Sequence, residues 1–105
     1  MNEETPLTVE AIENEIRISE EVINDFEKRL ERLTEEYKAL TERLIVLRAV
    51  NDKIGNNGTK VLVEENIRYI ADERFKLIPE IKGKRANIEH YRKIIDKLNE
   101  IKNEL

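Results

Sequence analysis

The side chains best suited to chemistry in this sequence are basic residues in its second half. They lie close together along the chain and comprise Lys82, Lys84, Arg85, Arg92 and Lys93. Lysine and arginine at this density can bind phosphate groups, and Lys60, next to a glycine-containing turn, adds another cation. These residues could hold a small anionic ligand such as a nucleotide if several copies of the chain surround one cavity. The favoured interpretation is that they form a solvated helix face on which Arg85 and Arg92 meet the acidic first half of the chain.

The overall composition argues against a nucleic-acid partner. The net charge is −4 and aromatic residues make up 5% of the chain. Domains that bind nucleic acid are usually basic and often carry aromatic side chains on which bases stack. A small anion is therefore the better candidate ligand for the basic residues.

Residues that could catalyse a reaction or bind a metal are sparse. The sequence has no cysteine, which excludes disulfides, thiolate nucleophiles and cysteine-ligated metals, and His90 is its single histidine. Acidic pairs such as Glu20 and Glu21 are typical of solvated helix faces, and no Glu-x-x-His motif indicates a di-iron site. Because no acid, base and nucleophile are paired, the sequence predicts a protein that is not an enzyme and has no cofactor.

The elements that position these residues are predicted by a heptad repeat in each half of the chain. Mostly apolar residues recur in alternating steps of four and three from Ile12 to Ile54, and again from Val63 to Leu105. A repeat that persists over about six heptads is specific to α-helical coiled coils. The fold class is therefore predicted to be all-α, with helices at about residues 8–54 and 61–104.

The residues between the two repeats predict a tight turn at residues 55–60. Gly55 and Gly58 enclose two asparagines, and both residue types accept the left-handed backbone angles that end many helices. If the backbone of Gly58 is left-handed, replacing this residue with valine should destabilise the fold by about 1 kcal/mol or more.

Single residues also predict one helix start and one kink. The Thr8 hydroxyl can cap the first helix, which we expect to start between Leu7 and Val9. Pro79 lies inside the second repeat at an outward-facing position. Its missing N–H and its ring predict a kink in the second helix.

The short turn predicts that the helices pack antiparallel, as a single hairpin domain over residues 1–105. Aligning the repeats places Leu44 opposite Ile70 and Leu33 opposite Ile81, so that every a position faces a d position. The first half of the chain is acidic and the second basic, which favours this alignment. At the flanking positions this register brings Glu20 and Glu27 within reach of Arg85 and Arg92, and Arg43 near Glu73. The charge match is incomplete, because Glu36 lies among Glu73 and Glu80.

Apolar residues outside the seam between the helices are the strongest indication of function. A two-helix coiled coil requires apolar residues only at a and d, yet others gather beside them. One flank carries Ala71 with the candidate interface residues Ile45, Phe75 and Ile78. The other flank carries the candidates Ile18, Val22, Ile94 and Ile101, and a third group at the turn comprises Val46, Val50, Val61 and Leu62. Clustered apolar patches usually mark a protein partner, although a wider core within one chain would also use them.

The sequence therefore predicts a non-enzymatic coiled-coil module that acts by protein–protein contact. Self-association into a helical bundle is the simplest outcome, and a second protein partner is expected. Such a module fits an adaptor or an inhibitor, including a viral or mobile-element inhibitor of a host protein; the alternative is an oligomeric binder of a small anion. No apolar run suggests a membrane span or a signal peptide, so the expected location is cytoplasmic.

Overall fold

Two α-helices make up nearly all of the chain. The computed structural model describes residues 6–105, and the first five residues, which the predicted domain includes, lie outside the described part. Helix α1 spans Val9–Lys53 and helix α2 spans Gly58–Glu104. The prediction of an all-α helical hairpin is confirmed, and residues 6–105 include no strand.

Helix α1 starts where a hydroxyl cap is available. The Thr8 Oγ1 atom accepts a hydrogen bond of 3.1 Å from the backbone N–H of Ala11. This bond satisfies one of the N–H groups that the first turn of a helix leaves without a partner. The predicted start between Leu7 and Val9 is confirmed.

Helix α2 starts earlier than expected, and the reason is a second cap. The Oδ1 atom of Asn57 accepts hydrogen bonds from the backbone N–H groups of Thr59 (2.9 Å) and Lys60 (3.3 Å). Helix α2 therefore begins at Gly58, and no described residue has a positive φ. The backbone of Gly58 is therefore not left-handed, because this glycine already belongs to the first turn of a capped helix, and the condition for a destabilising valine at this position is not met.

The heptad positions form the core of the hairpin. Among the described residues six apolar side chains are buried, and all occupy a or d positions: Ile12, Leu44, Ile70, Leu77, Ile81 and Ile88. Ser19, another seam residue, is buried with them. All other positions of the two repeats are half-buried except Leu105. The two repeats in the sequence therefore identify the seam correctly.

The hairpin contains two compact units. We call Leu30–Gly83, which includes the turn, the turn unit. The part of α1 up to Arg29 together with Lys84–Leu105 is the terminal unit.

Contacts between α1 and α2 inside each unit show that the helices run antiparallel. In the turn unit, Lys60 Nζ donates a hydrogen bond of 3.1 Å to the carbonyl oxygen of Asn51, nearest the turn. Earlier in α1, Tyr37 lies beneath the guanidinium of Arg74, 5.5 Å from ring centroid to guanidinium carbon. Residues earlier in α1 thus meet residues later in α2, as the predicted register requires.

The terminal unit follows the same direction. The rings of Phe26 and Tyr91 lie with their centroids 6.0 Å apart. Closer to the chain ends, Lys102 Nζ lies 3.8 Å from a carboxylate oxygen of Glu13. The aromatic pair is consistent with the predicted placement of both residues at seam positions.

One ion pair forms among the flanking charges that the register brings close. Arg92 Nη2 donates a hydrogen bond of 3.3 Å to Glu27 Oε1. Within residues 6–105, Glu20 and Arg85 take part in no ion pair, and Arg43 does not pair with Glu73.

Glu73 is paired instead with Lys76, one turn along its own helix, at 3.0 Å. The hydrogen bond to Glu73 raises the pKa of the Lys76 ammonium. A partner on the same helix needs no particular placement of the other helix, so it takes precedence.

Helix α2 continues through Pro79, and the kink predicted at this residue stays a prediction. Proline has no N–H, so the carbonyl of Phe75, four residues earlier, loses its usual helical partner. The other unfavourable residue inside α2 is Gly83.

Replacing Gly83 with alanine should raise the free energy of unfolding by about 1 kcal/mol, because glycine loses more backbone freedom in a helix than alanine does. A Cβ at this position would meet no atom within 4 Å. Urea denaturation followed by circular dichroism measures the effect. The reverse change in the same helix, Ala86→Gly, is the control and should lower stability by a similar amount. A loss of stability in Gly83→Ala would contradict the prediction.

Candidate functional site

The predicted interface residues of the turn unit lie mainly exposed beside the seam. Ile45 is 62% exposed and Phe75 is 72% exposed, whereas Ile78 is half-buried. Ile45 lies one turn from Thr41, and Phe75 directly follows Arg74 in the chain. Arg74 Nη1 donates a hydrogen bond of 3.3 Å to Thr41 Oγ1, which joins the two helices on this side of the seam. We call Ile45, Phe75 and Ile78 the Phe75 face.

Arg74 is held in place at the edge of this face. It is a half-buried residue of the seam, and its guanidinium lies over the ring of Tyr37 in a cation–π contact. The Thr41 hydroxyl, which accepts a hydrogen bond from Arg74, itself donates one of 2.9 Å to the Tyr37 carbonyl. These contacts fix a positive charge next to Phe75.

Further cations surround the Phe75 face. The b and e positions lie on this side of the seam. Over residues 38–48 of α1 and 68–82 of α2, these positions hold basic residues and no acidic one, and the next such positions towards the turn hold Asp52 and Glu64. We call the four exposed basic side chains Lys38, Arg48, Arg68 and Lys82 the basic rim. Within residues 6–105, none of the four takes part in an ion pair.

Two residues of the basic rim also border a cleft near the turn. The cleft has a volume of about 460 Å³ and is lined by Arg48, Asn51, Glu64, Ile67 and Arg68. Two guanidinium groups face a single carboxylate there, so the cleft keeps a net positive charge. The Oδ1 atom of Asn51 is buried and has no hydrogen-bond partner in the described chain. Buried acceptors are normally satisfied, so this end of the seam is incompletely paired.

The opposite side of the turn unit carries a separate apolar surface. A groove of about 440 Å³ is lined by Ala39, Glu42, Arg43, Val46 and Leu47. Val46, Val50 and Leu62 of the turn group are exposed on this side, whereas the exposed Val61 occupies a b position and lies on the side of the Phe75 face. Tyr69, which is 65% exposed, was not among the predicted site residues. Its c position in the second repeat was the signal that could have identified it as an outward-facing aromatic residue.

The terminal unit exposes its candidate interface residues less fully. Ile18, Ile94 and Ile101 are exposed, but each keeps more than half of its surface covered. Val22 is half-buried. This surface therefore offers less free apolar area per residue than the Phe75 face.

The candidate anion-binding residues are divided between the units, and most already have partners. Lys60 and Lys82 belong to the turn unit, and the other four belong to the terminal unit. Lys60 is hydrogen-bonded to a backbone carbonyl, as described above, and Arg92 is paired with Glu27.

Two more of these cations are occupied inside the terminal unit. Lys84 Nζ lies 5.8 Å from the centroid of the Phe26 ring, and Lys93 Nζ lies 3.7 Å from Glu89 Oε1. Lys82 and Arg85 have no ion pair in the described residues. Neither unit therefore gathers the six predicted residues into one site.

The described residues offer little support for other kinds of site. The described part of the chain has no group of three or more histidine and acidic side chains that could hold a metal ion, and His90 is exposed. Neither helix, over the residues described, has a stretch apolar and long enough to cross a membrane. No protein-family model, curated protein or solved structure matches the chain. The exposed faces beside the seam are thus the features on which a function can be argued.

Proposed function

We propose that this hairpin is a non-enzymatic interaction module that binds other protein chains through the apolar faces beside its seam, as an adaptor or an inhibitor. The observation that supports the proposal is the exposure of Phe75 and Ile45 on the same side of the turn unit. Covering a large apolar side chain contributes about 1.5–3 kcal/mol, and the hairpin leaves this contribution unused. A cytoplasmic location belongs to the same proposal.

A second candidate, an oligomer that binds a small anion, has less support. Four of its six proposed cations already have hydrogen-bond, ion-pair or cation–π partners within the hairpin. Releasing these side chains to a ligand would break those contacts. The first proposal requires no such loss, because the apolar side chains of the Phe75 face are free.

The proposal is tested with Phe75→Lys, which places a charge where a partner would desolvate an aromatic ring. Selection of helical peptides from a charge-unbiased display library against the full chain should yield binders, and Phe75→Lys should weaken them at least about tenfold. Tyr69→Lys, a change of a similarly exposed aromatic residue on the other side of the seam, is the control. Circular dichroism should show unchanged helicity in both variants.

Sedimentation of the wild type addresses self-association separately. A species larger than the monomer in the micromolar range would support assembly of the hairpin with itself. If the wild type stays monomeric and the library yields no binder that depends on Phe75, the proposed function is wrong.

A further inference from the structure

We propose that the Phe75 face binds an amphipathic helix of another protein that carries acidic residues beside its apolar stripe. The inference rests on the proposed function and adds the secondary structure and the charge of the partner. Three observations support it: the spacing of the apolar residues, the unpaired basic rim, and the positive cleft at the turn end of the face.

The apolar residues form a surface on which a helix can pack. Along α2, Ala71, Phe75 and Ile78 follow the i, i+4, i+7 spacing that keeps side chains on one side of a helix. Ile45 lies across the seam on α1. Ala71 is half-buried and has the smallest side chain of the four, so it leaves room between its neighbours for a side chain of the partner. Helices bind in this way when their apolar stripe lies along a groove between two others.

The basic rim determines the charge of that partner. Six ion pairs occur in the described chain, and none involves a residue of the rim. Arg74, whose position is fixed by Tyr37 and Thr41, adds a cation at the same edge. Unpaired charges around an apolar centre select a partner of opposite charge and accelerate its association.

The cleft near the turn gives the acidic partner a specific contact. Arg48 on α1 and Arg68 on α2 both line it. Guanidinium groups bind carboxylates through paired, charge-assisted hydrogen bonds. Glu64, which lines the same cleft, supplies one negative charge against these two positive ones. A carboxylate of the partner helix is therefore the group that the cleft is suited to bind.

The same charges argue against the two other occupants of this face. Two copies of the chain in a two-fold contact would place one basic rim against the other, because such a contact uses the same patch on both copies. A nucleic-acid strand would match the charge, but it would leave the aliphatic side chains of Ile45 and Ile78 without an apolar partner. An acidic amphipathic helix satisfies both parts of the surface.

Two synthetic peptides test the inference directly. Both are helices of about 18 residues with leucines at i, i+3, i+4 and i+7, and they differ only in having glutamate or lysine beside the leucines. Binding of each labelled peptide to the full chain is measured by fluorescence anisotropy. The glutamate peptide should bind at least about tenfold more tightly, and added salt should reduce this preference. Equal binding, or tighter binding of the lysine peptide, would overturn the inference.

Charge reversal on the protein provides the matched test. Arg48→Glu with Arg68→Glu should abolish the preference for the glutamate peptide or invert it. Arg32→Glu with Arg43→Glu changes the net charge equally, and these exposed residues lie on the other side of the seam in the same unit. This control should keep most of the preference. If both double variants lose it equally, net charge and not the basic rim is responsible, and the inference fails.

The outcomes separate the inference from the proposed function. If Phe75→Lys weakens library peptides that carry no acidic residues, the proposed function stands and the acidic partner is wrong. If a single-stranded oligonucleotide displaces the glutamate peptide at lower concentration than the unlabelled peptide does, the face is a nucleic-acid site and the inference is overturned. If no peptide depends on Phe75, both fail.

Discussion

Leu44→Ala is expected to lower the free energy of unfolding by about 3–4 kcal/mol, a large part of the stability of a domain this small. Leu44 is 0% exposed, and with Ile70 it is one of the two largest side chains that are fully buried. A seam between only two helices has few neighbouring atoms that can move to fill the cavity. Urea denaturation monitored by circular dichroism measures the loss.

The matched control for this change is Leu62→Ala. Leu62 is 62% exposed, so removing the same atoms should change stability by less than about 0.5 kcal/mol. Equal losses in the two variants would show that Leu44 does not lie in the core. That result would contradict the heptad seam.

A disulfide between Leu33→Cys and Ile81→Cys is expected to form within one chain and to stabilise the hairpin by about 3–4 kcal/mol relative to the reduced form. The register places these residues opposite each other, and both belong to the turn unit. The sequence contains no cysteine, so no other thiol competes. Non-reducing gels at high dilution detect the bond, and thermal melts with and without reductant measure its effect.

The control for the disulfide shifts the register. Leu33→Cys with Ile70→Cys moves the second thiol about 16 Å along α2, beyond the reach of a disulfide. It should remain reduced or form only crosslinks between chains. If Leu33→Cys with Ile81→Cys also crosslinks only between chains under dilution, the helices exchange between molecules, and the hairpin register is wrong.

The turn shows why part of the fold could not be predicted from residue types. A glycine or an asparagine between two helices can take a left-handed conformation that ends the first helix. Either residue can instead cap the start of the second helix. Asn57 caps α2 by accepting hydrogen bonds from the backbone N–H groups of Thr59 and Lys60. Gly58 is therefore the first residue of α2 and not a left-handed residue at the end of α1. Both conformations suit the same short sequence. The choice between them depends on where the helices place the ends of the loop.

The charge pairs show a similar division. The register brought Glu27 and Arg92 within reach, and they pair. It also brought Arg43 near Glu73, but Lys76 on the same helix is the actual partner of that carboxylate. Long side chains can reach several partners, and exposed pairs differ in energy by only a few tenths of a kcal/mol. Sequence spacing therefore identifies the candidates for an ion pair but does not decide among them.

The sequence by itself determined the helices, the seam and the side of each helix on which a residue lies, because helical periodicity is a local property of the backbone. Tertiary structure alone decided how far each outward side chain is covered. Phe75 is largely exposed while Ile78 is half-buried, although both were predicted on one flank. It also decided that, within residues 6–105, the four cations of the basic rim take part in no ion pair. Exposure and pairing depend on atoms of the opposite helix, whose distances the heptad pattern does not contain.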